Sequence, residues 1–266
     1  MSDTYDVYAI RYGHHDRKAH ENFLGGDPHD DAPMPLDYFV WAIVGTEKTF
    51  VLDTGFAPDM AQKRGRALIR PVADGLNAIG VDPARVSDVI ISHMHYDHAG
   101  NIPLFERATF HVQDAELNYA TGRAMCHAAL RAPFEAEHAV DMVRRVYEGR
   151  VQFHDGVSEL APGITLHKVG GHTKGLQVTR VKTKRGHVVL ASDAAHLYAN
   201  MERKLPFPIV VDVDDYLEAF NTLRKLASSE AHIVPGHDPL VLKRYPLARD
   251  GLAGVVRLDA DPRNTD

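Results

Sequence analysis

Ser92-His93-Met94-His95-Tyr96-Asp97-His98 is the most informative segment of the chain, and it follows directly on the apolar run Val89-Ile90-Ile91. It brings four side chains of zinc-binding type into positions 93–98. Alternate residues of an extended chain project to the same side, so the two leading histidines can face one ion. After a bend, the aspartate and the last histidine can face a neighbouring position. The stretch therefore predicts a metal site at a strand end. A histidine-rich surface turn is the alternative, and the i, i+4 spacing of a helical zinc protease is missing.

Three later residues have a similar setting, because each follows an apolar run that is typical of a buried strand. They are His172, Asp193 and His237. Any one of them alone is more often a polar residue of the core or of a loop than a ligand. Together with the first motif they form a set of five histidines and two aspartates, which can hold two cations.

The motif H-x-H-x-D-H and these later residues resemble the metallo-β-lactamase-fold hydrolases, and within them the N-acyl-homoserine lactonase branch. The matching positions run from Asp53 to His237 in the family's order. The branch assignment depends on the chain length, a long N-terminal loop, the D-A-A segment that starts at Asp193 and the G-H-D segment that starts at Gly236. The resemblance implies an α/β (α+β) fold, a four-layer αββα sandwich of the metallo-β-lactamase type.

The resemblance also implies a centre with two divalent metal ions. His93, His95 and His172 would hold one ion, Asp97, His98 and His237 would hold the other, and Asp193 would bridge the two. Asp53 resembles the family's aspartate that orients a ligand histidine. Zinc is the first expectation, and manganese, iron or cobalt also suit nitrogen and oxygen ligands. No thiolate is expected, since Cys126 lies outside every ligand position.

The expected reaction is the opening of a small lactone, an acyl-homoserine lactone or a related one, by metal-bound hydroxide. Asp97, Asp193 and His196 are the expected catalytic residues. His196 stands where the lactonases carry a tyrosine, and Tyr198 follows two residues later. An imidazole could donate the same hydrogen bond, whereas the alternative makes His196 a surface or supporting residue.

Two other functions remain open at this point. The same centre could hydrolyse another ester, a thioester, a cyclic amide or a phosphodiester, and the histidine at position 196 favours this alternative. A metal-binding sensor without turnover is the candidate from a different class. His14 and His15 could line the substrate entrance, and Phe207–Val211 could form an apolar pocket wall.

The composition of the chain excludes several classes of protein and of partner. The chain of 266 residues has 30 Lys+Arg, 36 Asp+Glu and a formal net charge of −6, with 17 histidines and one cysteine. The mild acidity and the lack of a basic block argue against a nucleic-acid partner, and one cysteine excludes a disulfide framework. No signal-type leader or transmembrane run is present, so we expect a cytoplasmic protein with a small-molecule substrate and no membrane partner. We expect a single domain, 1–266, as a monomer or homodimer.

Periodicity predicts alternating strands and helices. The predicted strands are Val7–Ile10, Tyr38–Val44, Thr49–Leu52, Val89–Ile91, Thr109–Val112, Val151–Phe153, Ile164–Lys168, Leu176–Thr183, His187–Leu190 and His232–Val234. The predicted helices are Asp59–Ile79, one from about Asp114, Ala128–Tyr147 with a break near Pro133, and Tyr216–Leu226. His14–Pro35 is predicted to be a loop, and the tail after Val256 is predicted to fray.

Overall fold

Two mixed β-sheets pack face to face between helices in the computed structural model, which describes residues 4–263. The strands are β1 (Asp6–His15), β2 (Leu36–Val44), β3 (Thr49–Leu52), β4 (Ala67–Leu68), β5 (Asp88–Ile90), β6 (Thr109–Gln113), β7 (Val151–His154), β8 (Val157–Ala161), β9 (Ile164–Lys168), β10 (Gln177–Thr183), β11 (Gly186–Ser192), β12 (Ile233–Pro235) and β13 (Val255–Arg257). The α-helices are α1 (Pro58–Arg64), α2 (Val72–Asn77), α3 (Asp114–Thr121), α4 (Ala128–Arg131), α5 (Ala136–Tyr147), α6 (Tyr198–Arg203), α7 (Val213–Leu226) and α8 (Leu240–Arg244).

The N-terminal half of the chain forms most of the first sheet, in the order β13-β1-β2-β3-β5-β6-β7, with β4 paired to β1. The second sheet has the order β12-β11-β10-β9-β8. The pairs β3–β5, β5–β6, β6–β7 and β11–β12 are parallel, so the carboxyl ends of these neighbouring strands meet at one edge of each sheet.

Strand β2 shows why the layers stack in this way. Its alternate residues Phe39, Trp41 and Ile43 pack into the core between the two sheets, while Val40 and Ala42 pack into the core under the helices of the first sheet. All five are buried, because the strand is covered on both faces. Burying one large apolar side chain contributes about 1.5–3 kcal/mol, so a strand with two covered faces is strongly anchored.

The predicted four-layer fold is therefore confirmed. Helices α1, α2, α3 and α5 contribute to the core on the outer face of the first sheet, and α7 contributes to the core that includes the second sheet. The predicted strands are present within one to a few residues, and the helix predicted over 128–147 is broken around Pro133. Strands β8 and β13 and helices α6 and α8 were not predicted.

The prediction of one helix over Asp59–Ile79 is wrong. Helix α1 ends at Gly65, whose φ of 62° is left-handed, and a short strand and Pro71 precede α2. The apolar spacing across this region reflects two helices that contact the same core, with a break that the glycine and the proline enforce.

Two loop predictions also need correction. Strand β1 includes His14 and His15, and the segment up to Pro35 contains a short 3-10 helix, Ala19–Asn22. The tail does not fray at Val256, because Leu258 is fully buried and donates its backbone N–H to Val7. Residues 264–266 lie outside the described residues. No helix within 4–263 has the length and apolar character needed to cross a membrane.

Candidate metal centre

The loops that carry the predicted ligands leave the two sheets at their carboxyl edges. The 93–98 segment follows β5, His172 follows β9, Asp193 follows β11 and His237 follows β12. Strands β9 and β11 are both antiparallel to β10, so they point the same way. This arrangement brings all seven predicted ligands together from both sheets, and each of them is buried.

The first group contains His93, His95, His172 and Asp193, whose potential ligand atoms all lie within 4.8 Å of one another. His172 Nε2 lies 2.9 Å from His95 Nδ1 and 3.1 Å from Asp193 Oδ2. His93 Nε2 lies 3.7 Å from the same carboxylate oxygen. Three imidazole nitrogens and one carboxylate oxygen therefore converge on a space of the size that one ion needs.

The second group contains Asp97, His98 and His237, again within 4.8 Å. Asp193 Oδ1 lies 3.3 Å from His98 Nε2 and 3.0 Å from His237 Nε2. Asp97 Oδ2 lies 3.6 Å from His98 Nε2 and 3.8 Å from His237 Nε2. Asp193 thus presents one oxygen to each group, which is the geometry of a bridging carboxylate.

The charge states of the two groups differ. Burial lowers the pKa of His93 and of His95 well below the ordinary value, and neighbouring histidines act in the same direction. Burial would also lower the pKa of His98, but the carboxylates of Asp193, Asp97 and Asp53 raise it well above the ordinary value. His93 and His95 are therefore ready to donate lone pairs, whereas a cation that binds His98 would displace a proton.

Asp193 is held as an anion. Burial on its own raises the pKa of this carboxyl, but the surrounding histidines, His196 and His237 foremost, bring the pKa well below its usual range. A buried anion among histidines is a favourable position for a divalent cation.

Four of the five histidines predicted as ligands hydrogen-bond through Nδ1 to a protein oxygen. The acceptors are the Ser92 hydroxyl (3.0 Å from His93), the Asp53 carboxylate (2.7 Å from His98), and the backbone carbonyls of Ile209 (2.7 Å from His172) and Asp37 (3.0 Å from His237). Donation from Nδ1 leaves the lone pair on Nε2, and Nε2 is the atom that faces the centre.

Asp53 connects two of these residues, Ser92 and His98, through hydrogen bonds. It lies directly after β3 with a φ of 63° and is fully buried. One of its oxygens accepts the Ser92 backbone N–H at 2.7 Å, and the other accepts the Ser92 hydroxyl at 2.8 Å besides His98. These contacts fit the prediction that Asp53 orients a ligand histidine.

Two nitrogens without a hydrogen bond show that the residues fit metal ions. Within residues 4–263, the buried Nε2 atoms of His93 and His98 make no hydrogen bond, although the Nδ1 atoms of both rings do. A buried polar atom without a partner costs about 1–3 kcal/mol. One such atom lies in each group, and a cation in each would satisfy it.

Comparison with known proteins agrees with this geometry. The sequence profile of the metallo-beta-lactamase superfamily matches residues 34–237, which include all seven residues. The chain belongs to this superfamily.

Curated relatives of this superfamily member carry lactonase names. An N-acyl homoserine lactonase from a Bacillus species is 29% identical over 167 residues, which are 61% of this chain and 60% of the relative. The N-acyl homoserine lactonase AttM from Rhizobium radiobacter is 29% identical over 254 residues, 88% of this chain and 93% of the relative. The chain thus spans well under two thirds of the Bacillus relative but nearly all of the Rhizobium one.

Solved structures support the fold. A crystal structure of an N-acyl homoserine lactone hydrolase, with the product N-hexanoyl-L-homoserine at its catalytic metal centre, has a TM-score of 0.74 and 22% identity. It covers 91% of this chain, and this chain covers 96% of it.

His196 is the position at which the sequence analysis expects a difference from the lactonases. It is buried, so the surface interpretation is wrong. Its Nε2 lies 3.0 Å from Asp193 Oδ2, its Nδ1 lies 3.1 Å from the Tyr216 hydroxyl, and its ring stacks on Phe207 at 3.7 Å. Burial lowers the pKa of His196 to about 3, so the imidazole is neutral near pH 7.

A cavity of about 380 Å³ opens onto the two groups. Phe207–Val211 form part of its wall, as predicted, and Leu130 and Pro133 add apolar surface. His14, His15 and Tyr198 are not among its lining residues, so neither the predicted entrance histidines nor Tyr198 faces the metal groups. Its lining also includes three arginines, Arg17, Arg64 and Arg66, that the motif analysis did not single out.

Glu116 is a supporting residue that the sequence analysis missed. It is fully buried, and one oxygen accepts the Met94 backbone N–H at 2.8 Å. The other oxygen accepts the Thr173 hydroxyl at 2.6 Å and the Gly175 N–H at 3.0 Å. One carboxylate therefore ties the loop of His93 and His95 to the loop of His172. Its sequence setting, the first turn of α3, resembles that of a surface glutamate.

Proposed function

We propose that this protein is a metal-dependent hydrolase that opens a small lactone and uses two divalent metal ions to do so. The observation that carries the proposal is the position of Asp193, one oxygen of which faces each histidine group at the base of an apolar cavity. The names of the curated relatives support a lactone as the substrate.

The proposed ligands divide as the geometry suggests. His93, His95 and His172 would hold one ion, Asp97, His98 and His237 the other, and Asp193 would bridge them. Zinc suits a site of imidazole and carboxylate ligands, and manganese, iron or cobalt are the alternatives. When bound, the ions would supply hydroxide at neutral pH and polarise the substrate carbonyl.

The residues around the ions would orient the substrate. The cavity volume of about 380 Å³ lies in the range of small-molecule sites and suits a lactone with a short substituent. His196 would take the place of the family's tyrosine: its low pKa leaves one N–H, and Nε2, which lies 3.0 Å from Asp193, would share that N–H between the carboxylate and the ring oxygen or carbonyl of the substrate. Phe207 fixes the ring plane of His196 through the stacking contact.

Hydrolysis of another ester, a thioester, a cyclic amide or a phosphodiester is the second candidate. Its support is the same histidine, because a different hydrogen-bond donor beside the bridging carboxylate suits a different leaving group. A preference for such substrates over every lactone would make this candidate the function.

The test is proton release, followed with a pH indicator, from metal-loaded protein. The substrates are short and long acyl homoserine lactones, simple γ-lactones and aromatic lactones. We expect acid release that a chelator stops and that Asp193→Asn abolishes. Asp155→Asn, which removes an exposed carboxylate paired with Lys168, is the matched control and should retain full activity. If no lactone gives acid release from protein with two ions bound, the proposal is rejected.

Several expectations complete the proposal. A single domain over 1–266, a monomer or homodimer, a cytoplasmic location and the absence of nucleic-acid or membrane partners remain predictions. Sedimentation of the purified protein and fractionation of cells would test them.

A further inference from the structure

We propose that Arg17 and Arg66, at the mouth of the cavity, bind a carboxylate of the substrate, so that the preferred lactone carries a negative charge away from its ring. The inference rests on the proposed function, because it places the lactone ring at the metal groups and the charge at the arginines. It concerns specificity and adds an anion-binding position to the site.

The three arginines of the cavity differ in how their charge is balanced. Arg64 pairs with Glu135 at 2.6 Å, and this glutamate also pairs with Lys63. Within residues 4–263, neither Arg17 nor Arg66 forms an ion pair with a carboxylate. Both are half-buried. Two cationic groups are therefore partly removed from water in the cavity, and neither is paired with a carboxylate of the described residues.

Neutral groups hold both guanidinium ions in place. Arg66 donates from Nε to the Tyr96 hydroxyl at 3.1 Å and from Nη1 to the Arg64 carbonyl at 2.8 Å. Arg17 donates from Nε to Asn22 Oδ1 at 2.8 Å and from Nη2 to the Glu21 carbonyl. Its Nη1 group makes no hydrogen bond with the described residues, so donors remain for a ligand.

The two charges also act on each other. Burial lowers the pKa of Arg17, and the positive charge of Arg66 adds to this effect, although Glu21 and Tyr38 oppose it. A carboxylate between the two guanidinium groups would remove this repulsion. The planar fork of arginine matches the two oxygens of a carboxylate, which makes an organic acid a better fit than an uncharged polar group.

The position of Arg17 relative to the metal groups determines how far the negative charge of the substrate must lie from its lactone ring. Its guanidinium carbon lies 5.1 Å from the centre of the Phe207 ring, and that ring stacks on His196 at 3.7 Å. His196 Nε2 in turn lies 3.0 Å from Asp193. Two stacked rings, Phe207 and His196, thus lie between Arg17 and Asp193, and a lactone ring with a substituent of a few carbons can run alongside them.

The decisive experiment compares two lactones of equal shape. One is a γ-butyrolactone with a short side chain that ends in a carboxylate, and the other ends in the neutral carboxamide. We expect the unmodified, metal-loaded protein to prefer the carboxylate at least about tenfold in kcat/KM, as a charge-assisted contact predicts. Arg17→Gln should reduce that ratio to near one, and Arg66→Lys should reduce it less.

Lys18→Gln is the matched control. It removes the same charge one residue away, from an exposed side chain that pairs with Asp31 and does not line the cavity. The ratio should not change in this variant. An unchanged ratio in Arg17→Gln, or an equal loss with both lactones, would overturn the proposal and give Arg17 a purely structural role.

A binding measurement separates this inference from the proposed reaction. Calorimetry with the metal-loaded protein would compare glutarate, a dicarboxylate, with its monoamide. We expect glutarate to bind at least about tenfold more tightly, and this advantage to disappear in Arg17→Gln. If lactones are inert but the advantage is present, the reaction is rejected and the anion position stands. If lactones are opened but the charge has no effect in either assay, the anion position is rejected and the reaction stands.

Discussion

Among residues 4–263, two buried clusters of carboxylate and histidine can be compared, and one of the two has the features of a metal centre. The first is the group around Asp193, at the carboxyl edges of both sheets. The second is a chain of Asp88, His111 and His154 on β5, β6 and β7 of the first sheet, where Asp88 Oδ1 lies 3.0 Å from His111 Nε2 and His111 Nδ1 lies 3.1 Å from His154 Nε2.

The difference lies in the partners of the ring nitrogens. Both nitrogens of His111 have a neighbour, and Asp88 also pairs with Lys48 at 2.7 Å and with the Ser87 hydroxyl at 2.6 Å. The Nε2 atoms of His93 and His98 have no hydrogen bond. Acids and histidines in a satisfied network stabilise the fold, whereas ring nitrogens without a hydrogen bond that converge on one space indicate a ligand.

The largest difference between the two clusters is expected when the aspartate of each, Asp193 or Asp88, is replaced by asparagine and activity is measured. Asp193→Asn removes the charge that faces both groups, so we expect hydrolysis to fall by more than the roughly 10–100-fold that loss of an outer support of a metal site causes. Asp88→Asn should retain activity and metal content. Full lactone hydrolysis by Asp193→Asn, with two ions measured per chain, would show that the proposed centre is wrong.

Removal of metal should destabilise the protein by emptying the Asp193 cluster, and it should leave the Asp88 cluster unchanged. An ion present at about one hundred times its dissociation constant adds about 2.7 kcal/mol of stability, so chelation should lower the melting temperature by roughly 5–10 °C. Asp88→Asn protein should show the same decrease, because its cluster holds no ion. A melting temperature that does not respond to chelation would exclude tight metal binding by the folded state.

Asp53→Asn tests the support of the metal groups with a smaller expected effect. The amide can no longer accept from Ser92 and His98 with both oxygens, so the ring of His98 loses its fixed orientation. We expect metal affinity to fall about 10–100-fold, as measured by competition with a chromogenic chelator. Equal affinity in the variant would assign Asp53 to the fold rather than to the site.

The acid dependence of stability should identify the satisfied cluster. Burial raises the pKa of Asp88, but His111, Lys48 and Ser87 together lower it to about 2, below the ordinary 3.8. A folded-state pKa below the unfolded one contributes stability above about pH 4, and this contribution disappears as the pH falls towards 2.

At about 1.4 kcal/mol per pKa unit, the lowered pKa of Asp88 corresponds to about 2.5 kcal/mol, and solvent screening at the half-exposed Lys48 reduces this contribution to about 1–2 kcal/mol. Chemical denaturation of chelated protein at pH 6 and pH 3 should show the advantage of the parent over Asp88→Asn shrinking at the lower pH. An advantage that stays constant between the two values would place the stabilisation elsewhere.

The chain sequence predicts the metal-binding part of the site better than its surroundings. The 93–98 motif can be recognised from the sequence alone, because its four potential ligands lie within six residues of one another. The arginines of the cavity and Glu116 could not be predicted, because their roles depend on contacts between segments far apart in sequence. The helix predicted over 59–79 was wrong for a related reason: α1 and α2 contact one core and so share an apolar period across a break.

The proposed ligands come from distant parts of the chain, and this has a consequence for how the protein would acquire metal ions. His95 and His172 are 77 residues apart, and Asp193 and His237 are 44 apart. Contacts of such sequence separation form late, after loop-closure entropy has been overcome. A nascent chain could therefore bind the ions fully only once both sheets have formed and docked. Metal uptake would act as a checkpoint on completed folding, and a chain released before His237 emerges from the ribosome would lack a complete second site.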